Sequence, residues 1–65
     1  MLVLNDKIYD YIEGESLYDF LTRANFDPDF VACEVNQSLV KRDDFKAFIL
    51  EDKAKVEAFA IVGGG

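Results

Sequence analysis

A single apolar stripe at helical spacing sets the terms on which this chain can fold. Leu17, Phe20, Leu21 and Ala24 fall at i, i+3, i+4 and i+7, with Tyr18, Asp19, Thr22 and Arg23 on the remaining surface, so this stretch predicts a helix with one buried face. Ser16 stands before the stripe and Asp19 three residues on, a capping-box-like start in which the shorter Asp takes the place of the preferred Glu. At roughly nine residues the helix is about 14 Å long and below the length that holds together alone in water. It therefore has to pack on a sheet.

Segments with β character flank it on both sides. Met1 to Leu4 and Ile8 to Ile12, separated by the polar Asn5-Asp6-Lys7, read as a hairpin. The second strand carries Ile8, Asp10 and Ile12 on one side and Tyr9 and Tyr11 on the other, a mixture suited to a sheet edge, and the side that the tyrosines occupy stays open. Glu13-Gly14-Glu15 breaks the strand before the helix. After the helix, Asn25 to Asp29 with Pro28 is turn chemistry, and Val31, Cys33 and Val35 alternate with Ala32, Glu34 and Asn36 as a half-buried strand should. Asn36-Gln37-Ser38 then turns the chain into a short Leu39-Val40 segment. For Lys41 to Asp52 the expectation is a turn at Asp43 to Phe45 and an extended stretch near Phe48 to Leu50. The last strand is expected over Val56 to Val62, with Val56, Ala58, Ala60 and Val62 turned to the helix and Lys55, Glu57, Phe59 and Ile61 on the other face. Phe59 and Ile61 are then candidates for an exposed docking patch, unless residues 41 to 50 fold over them.

Strand, strand, helix, strand, short strand and final strand is an α+β order: a mixed sheet of four to five strands packed on one short helix, the pattern of a ubiquitin-like β-grasp. Sixty-five residues suffice for one small domain, which buries about 60% of the surface its unfolded chain exposes. With 51% hydrophobic residues, the chain is too apolar for a disordered tail. Seven Lys and Arg against thirteen Asp and Glu give a net charge of −6, which disfavours nucleic acid and anionic membrane surfaces as partners. Residues 1 to 34 hold eight acids and two bases and residues 35 to 65 hold five of each, so a basic partner surface is attracted mainly to the first half. Cys33 is the one cysteine and there is no histidine, so an intramolecular disulfide and the usual zinc or triad constellations are out of reach. Cys33 reads as a small core residue between Val31 and Val35. Asp27 and Asp29 around Pro28, and the pair Asp43-Asp44, bring too few ligands together for a metal and read as solvated turns. The longest apolar run, Ala58 to Val62, is far short of a membrane span, and the cytoplasm is the expected location.

Three of the four glycines, Gly63, Gly64 and Gly65, close the sequence. Without a Cβ, such a stretch can lie extended in a channel too narrow for side chains, and three extended residues reach about 10 Å. A free α-carboxyl, with a pKa of about 3.3 to 3.7, is ionised at neutral pH and a poor electrophile. Conversion to an acyl-adenylate with ATP supplies a leaving group, after which a sulfur donor leaves a thiocarboxylate or an amine leaves an amide. Neither step needs a catalytic side chain on this chain. The plain alternative is a frayed end.

Leu4-Asn5 before a turn, Gly14 with Ser16-Leu17 opening the helix, Phe20-Leu21 within it, Glu34-Val35-Asn36, Val40 with Arg42, Phe45, Val56-Glu57 and Ile61-Val62-Gly63-Gly64-Gly65 form an ordered pattern. In order and spacing it resembles, over essentially the whole chain, the sulfur carrier proteins of thiamine biosynthesis, the ThiS family of the ubiquitin-like β-grasp superfamily. Three places depart from that family: Lys41 where proline is usual before the arginine, Asn5-Asp6 for an Asn-Gly type turn, and Lys53-Ala54 where a Gly-Asp turn commonly precedes the last strand. The resemblance implies a β-grasp domain over residues 1 to 62 and a flexible glycine tail over residues 63 to 65. It implies a protein cosubstrate, not an enzyme, with no catalytic residue, no metal and no cofactor bound by the chain itself. In the implied cycle a ubiquitin-activating-type adenylyltransferase charges Gly65 using ATP and magnesium. Sulfur from a cysteine-derived persulfide, supplied by a donor enzyme such as a cysteine desulfurase, replaces AMP, and thiazole synthase takes it from the thiocarboxylate. Gly63 and Gly64 give access, while Phe59 and Ile61 stay candidates for docking the partner on the ground of their sheet face alone. A related carrier for molybdopterin or another sulfur-containing metabolite, a non-covalent interaction module on the same fold, and a modifier joined to lysines stand as alternatives.

Overall fold

A computed structural model of the chain describes residues 1–61; Val62, Gly63, Gly64 and Gly65, the end of the expected last strand and the whole expected tail, lie outside the described residues. In chain order the elements are β1 (Leu2–Leu4), β2 (Lys7–Tyr9), α1 (Leu17–Arg23), β3 (Val31–Val35), β4 (Ser38–Val40) and β5 (Lys55–Ala60), with 3₁₀ turns at Pro28–Phe30 and Arg42–Asp44. The five strands lie in one sheet in the order β2-β1-β5-β3-β4. β1 and β5 run parallel and every other neighbouring pair is antiparallel, so the sheet is the mixed sheet of a β-grasp, packed on one helix.

Both hairpins close on two residues of left-handed backbone, Asn5 and Asp6 at φ 48° and 70°, and Asn36 and Gln37 at 51° and 71°. That geometry matches the twist of the flanking strands, and asparagine tolerates it better than most residues. β2 stops at Tyr9 instead of running to Ile12. β1 begins at Leu2, opposite Tyr9, and β2 has no other neighbour, so its pairing ends there. The Arg23 guanidinium then holds the next stretch to the helix, donating to the Asp10 carbonyl at 2.9 Å and, through two nitrogens, to both oxygens of Glu15 at 2.9 and 2.8 Å, with Gly14 at φ 81° in the turn between them. Tyr9 turns inward and meets the Phe20 ring edge-on at 5.4 Å, and Tyr11 also packs against the core. The side left open by the sequence is thus the helix side.

The Ser16 hydroxyl accepts the Asp19 N–H at 3.1 Å and caps α1. Leu17, Phe20 and Leu21 are fully buried, and each such side chain contributes about 1.5–3 kcal/mol on leaving water. The helix is seven residues long because Ala24 serves as its C-cap and Asn25, at φ 67°, turns the chain away. Residues 44 to 50 complete the cover. Leu17 N–H donates to the Phe48 carbonyl at 2.8 Å, Tyr18 N–H to that of Phe45 at 3.0 Å, and Leu50 N–H to that of Glu15 at 3.0 Å. An irregular segment is ordered here because it takes N–H groups that a helix cannot pair within its own first turn. It brings Phe45 and Leu50 into the core and a single bridge at Ile49 opposite Ser16, in accord with the expected turn and extended stretch.

Side chains alternate across each strand. Leu2, Leu4, Val31, Cys33, Val35, Val40, Val56 and Ala58 face the helix and are buried. One expectation needs correcting: Ala60, opposite the buried Val31, is exposed, because β1 and its Asn5 extension flank β5 only as far as Ala58.

Candidate functional site

Phe59, in β5, and Ile61, just after it, are the residues that the sequence singled out. Phe59 and Ile61 stand on the face away from the helix, 49% and 45% exposed. The segment that could have covered them, residues 41 to 50, packs on the helix side instead. β1 pairs with β5 only at Val3 with Lys55 and Leu4 with Val56. Beyond that, the Asn5 N–H donates to the Val56 carbonyl at 3.1 Å. The Asn5 side chain then acts as one further rung: its Nδ2 donates to the Ala58 carbonyl at 3.0 Å and its Oδ1 accepts the Ala58 N–H at 2.9 Å. On the other flank β3 follows β5 to Ala60, and the Ile61 N–H donates to the Phe30 carbonyl at 2.8 Å. The strand that leads to the glycines is therefore held on both sides. Gly63, Gly64 and Gly65 themselves lie outside the described residues.

Beside Phe59 the outer face is concave. A groove of about 300 Å³ is lined by Asn5, Asp6, Lys55, Glu57, Ala58 and Phe59, and within it the Lys55 ammonium lies 3.9 Å from the Glu57 carboxylate. The groove exists because the β1–β2 turn rises next to a strand that continues past it.

Other candidate residues resolve into structural roles. Cys33 is fully buried, and the loss of solvent pushes its thiol up to about 11, so it is protonated at neutral pH and a poor nucleophile. The Asp27 carboxylate accepts the Asp29 N–H at 3.0 Å and so organises the turn around Pro28. No group of three or more metal-ligating side chains occurs among the described residues, and no helix there is long and apolar enough to cross a membrane. Asn5, which the sequence placed only in a turn, holds the strand beside the groove through its side chain. Only the identity of Asn5 in a turn was readable; its partner is 53 residues away.

The sequence model of the ThiS family matches residues 2–65. A relative from Porphyra purpurea, the uncharacterized protein ycf40, is 32% identical over 62 residues that span 95% of this chain and 87% of the relative. The fold is similar to that of the thiamine biosynthesis protein ThiS from Geobacter metallireducens in its crystal structure, with a TM-score of 0.79 and 25% identity, covering 98% of this chain and 97% of that one. A solution NMR structure of a thiamine biosynthesis protein from the same organism gives a TM-score of 0.74 at 25% identity, over 98% and 86% of the two chains.

Proposed function

The chain belongs to the ThiS family, and on that premise we propose that it is a sulfur carrier of thiamine biosynthesis, a protein cosubstrate that works through Gly65. The observation that carries this reading is the family match, which runs through Gly63, Gly64 and Gly65 to residue 65. A ubiquitin-activating-type adenylyltransferase, using ATP and magnesium, joins the Gly65 carboxylate to AMP with release of pyrophosphate. A cysteine-derived persulfide from a sulfur donor enzyme attacks the activated carbonyl and AMP leaves; a second thiol then cleaves the sulfur–sulfur bond and leaves the thiocarboxylate. Thiazole synthase passes the sulfur to its acceptor, and an oxygen from that acceptor or from water takes its place on the Gly65 carbonyl, which returns the carboxylate.

This chain's own residues bind and present. Phe59 and Ile61 give the activating enzyme an apolar surface beside the strand that leads to the glycines; one phenylalanine brings about 150–250 Å² to such a contact. Gly64 and Gly63 pass where side chains would not fit. Cys33, buried and protonated, supports the assignment of the chemistry to the carbonyl instead of to a protein thiol. The test is intact mass after incubation with the adenylating enzyme, ATP, magnesium and a sulfur source. The expected result is the gain of one sulfur in exchange for one oxygen, lost on deletion of Gly65. The same gain in the deletion variant puts the site elsewhere. An unmodified chain that still binds the enzyme indicates a non-covalent module, and adducts with other proteins indicate a modifier.

A further inference from the structure

On the uncovered face Glu34 and Glu57 oppose each other across two strands, and Asp6 lines the groove that Glu57 also lines, a row of acidic positions from three parts of the fold. The register sets Glu34 of β3 directly opposite Glu57 of β5, and the groove on the other side of Glu57 is walled by Asp6 from the β1–β2 turn. Directly opposed side chains in an antiparallel pair have Cβ atoms about 4.5–5.5 Å apart, and like charges there repel. Lys55 offsets part of this from 3.9 Å of the Glu57 carboxylate. The row is bordered by Phe59 and, beyond Glu34, by Leu39, which is 70% exposed.

A partner that covers Phe59 must also cover Glu57, two residues back on the same face of the same strand. Burying that carboxylate with nothing opposite it is costly. We propose that the partner docking on this face brings an arginine flanked by apolar side chains: the guanidinium enters the groove between Asp6 and Glu57, and its neighbours lie over Phe59 and Ile61. A planar fork of donors suits two carboxylates better than a point charge does. The inference rests on the carrier reading for the identity of the partner, the adenylating enzyme, and adds the chemistry by which that enzyme recognises the carrier.

The test is a binding titration of the adenylating enzyme from the same organism with the full chain and with Glu57→Gln, Glu34→Gln and Asp43→Asn. Asp43 lies beside Tyr18 on the helix side and controls for net charge. At about 50 mM salt Glu57→Gln is expected to weaken binding roughly 3- to 10-fold, with the difference shrinking to within about 2-fold near 0.5 M. Asp43→Asn should stay within about 2-fold at both. Glu34→Gln and Glu57→Gln should at the same time keep or raise the urea midpoint of the free protein, because each removes a repulsion; a purely structural role would lower it. Equal losses for Glu57→Gln and Asp43→Asn, a loss unchanged by salt, or no loss at all overturns the inference. If binding ignores Glu57 while Gly65 is still converted to the thiocarboxylate, the arginine contact is wrong and the carrier reading stands. An unsubstituted chain that the enzyme neither binds nor converts removes both.

Discussion

The two faces of one sheet share every strand and differ in almost everything else. Along β3, Val31, Cys33 and Val35 are buried under α1 and the segment that follows β4, while Ala32 and Glu34 look outward; along β5, Val56 and Ala58 are buried, while Glu57 and Phe59 look outward. The covered face closes on Phe20, Phe45 and Leu50 with no buried side-chain nitrogen or oxygen lacking a partner among the described residues. The uncovered face mixes apolar side chains with opposed carboxylates, an arrangement that adds little to stability alone and suits a contact with another protein. On the proposed reading, stability and recognition are divided by the two-residue period of a strand, and substitutions on the two faces should separate them.

The largest effect is expected at Phe20, which is fully buried against Tyr9. Phe20→Ala should cost about 3–5 kcal/mol, against a total stability of roughly 3–10 kcal/mol for a domain of this size. Urea unfolding followed by circular dichroism should show the cooperative transition lost or moved far down; a midpoint near that of the unsubstituted protein would break the division of the faces. Cys33 probes the same interior through pH. The folded thiol keeps its proton to about 11 whereas the ordinary value is 9.0, so between those limits the unfolded state holds fewer protons. Stability is unaffected below about pH 9 and falls by on the order of 2 kcal/mol as pH rises to about 11. Cys33→Ala should lack that component of the alkaline decline, and identical pH profiles would contradict the burial argument.

Asn5 ties the β1–β2 turn to the backbone of β5 at Ala58. Asn5→Ala removes both side-chain bonds to Ala58 and should cost about 1–3 kcal/mol, with faster hydrogen exchange at the Ala58 amide than at that of Val31; equal protection would assign the strand's order to β3 alone. Lys53, at φ 71° ahead of β5, offers a smaller change of opposite sign. Lys53→Gly should gain about 0.5–1 kcal/mol by relieving a side chain in left-handed backbone, read as a higher thermal midpoint. The smallest change in stability is expected at Phe59. Phe59→Ser should shift it by only about 0.5 kcal/mol yet weaken binding to the activating enzyme. Unchanged affinity would remove this residue from the docking surface.

Much of this architecture could be read locally. The Ser16 cap with the Leu17, Phe20 and Leu21 stripe marked the helix, the alternation of Val31, Cys33 and Val35 marked β3, and the same alternation put Phe59 and Ile61 outward, because each signal lies within a few residues of the feature it specifies. The left-handed backbone at Lys53 and the extended backbone at Lys41, φ −68° and ψ 144°, also fit the two places where glycine and proline are usual in the resembled family: the turns keep their shape with other residues in them. What could not be read was set by partners far along the chain. The Asp10 carbonyl goes to Arg23, Ala60 lies past the last residue that β1 flanks, and Asn5 takes a rung on β5.

From the sequence alone came the class of fold, the helix and its buried stripe, the inner and outer sets of each strand, and the glycine stretch with the chemistry open to it. These follow from spacing and residue type, which are local. Only the tertiary structure set β1 beside β5 in parallel, drew Tyr9 and Tyr11 to the helix side, left the outer face uncovered by the described residues, and set Glu57 opposite Glu34 across it with Asp6 on the neighbouring groove. Each of those depends on which strand lies next to which and in what register, and that is chosen by the burial of a shared core and the closure of long loops, a global balance that no short stretch of residues contains.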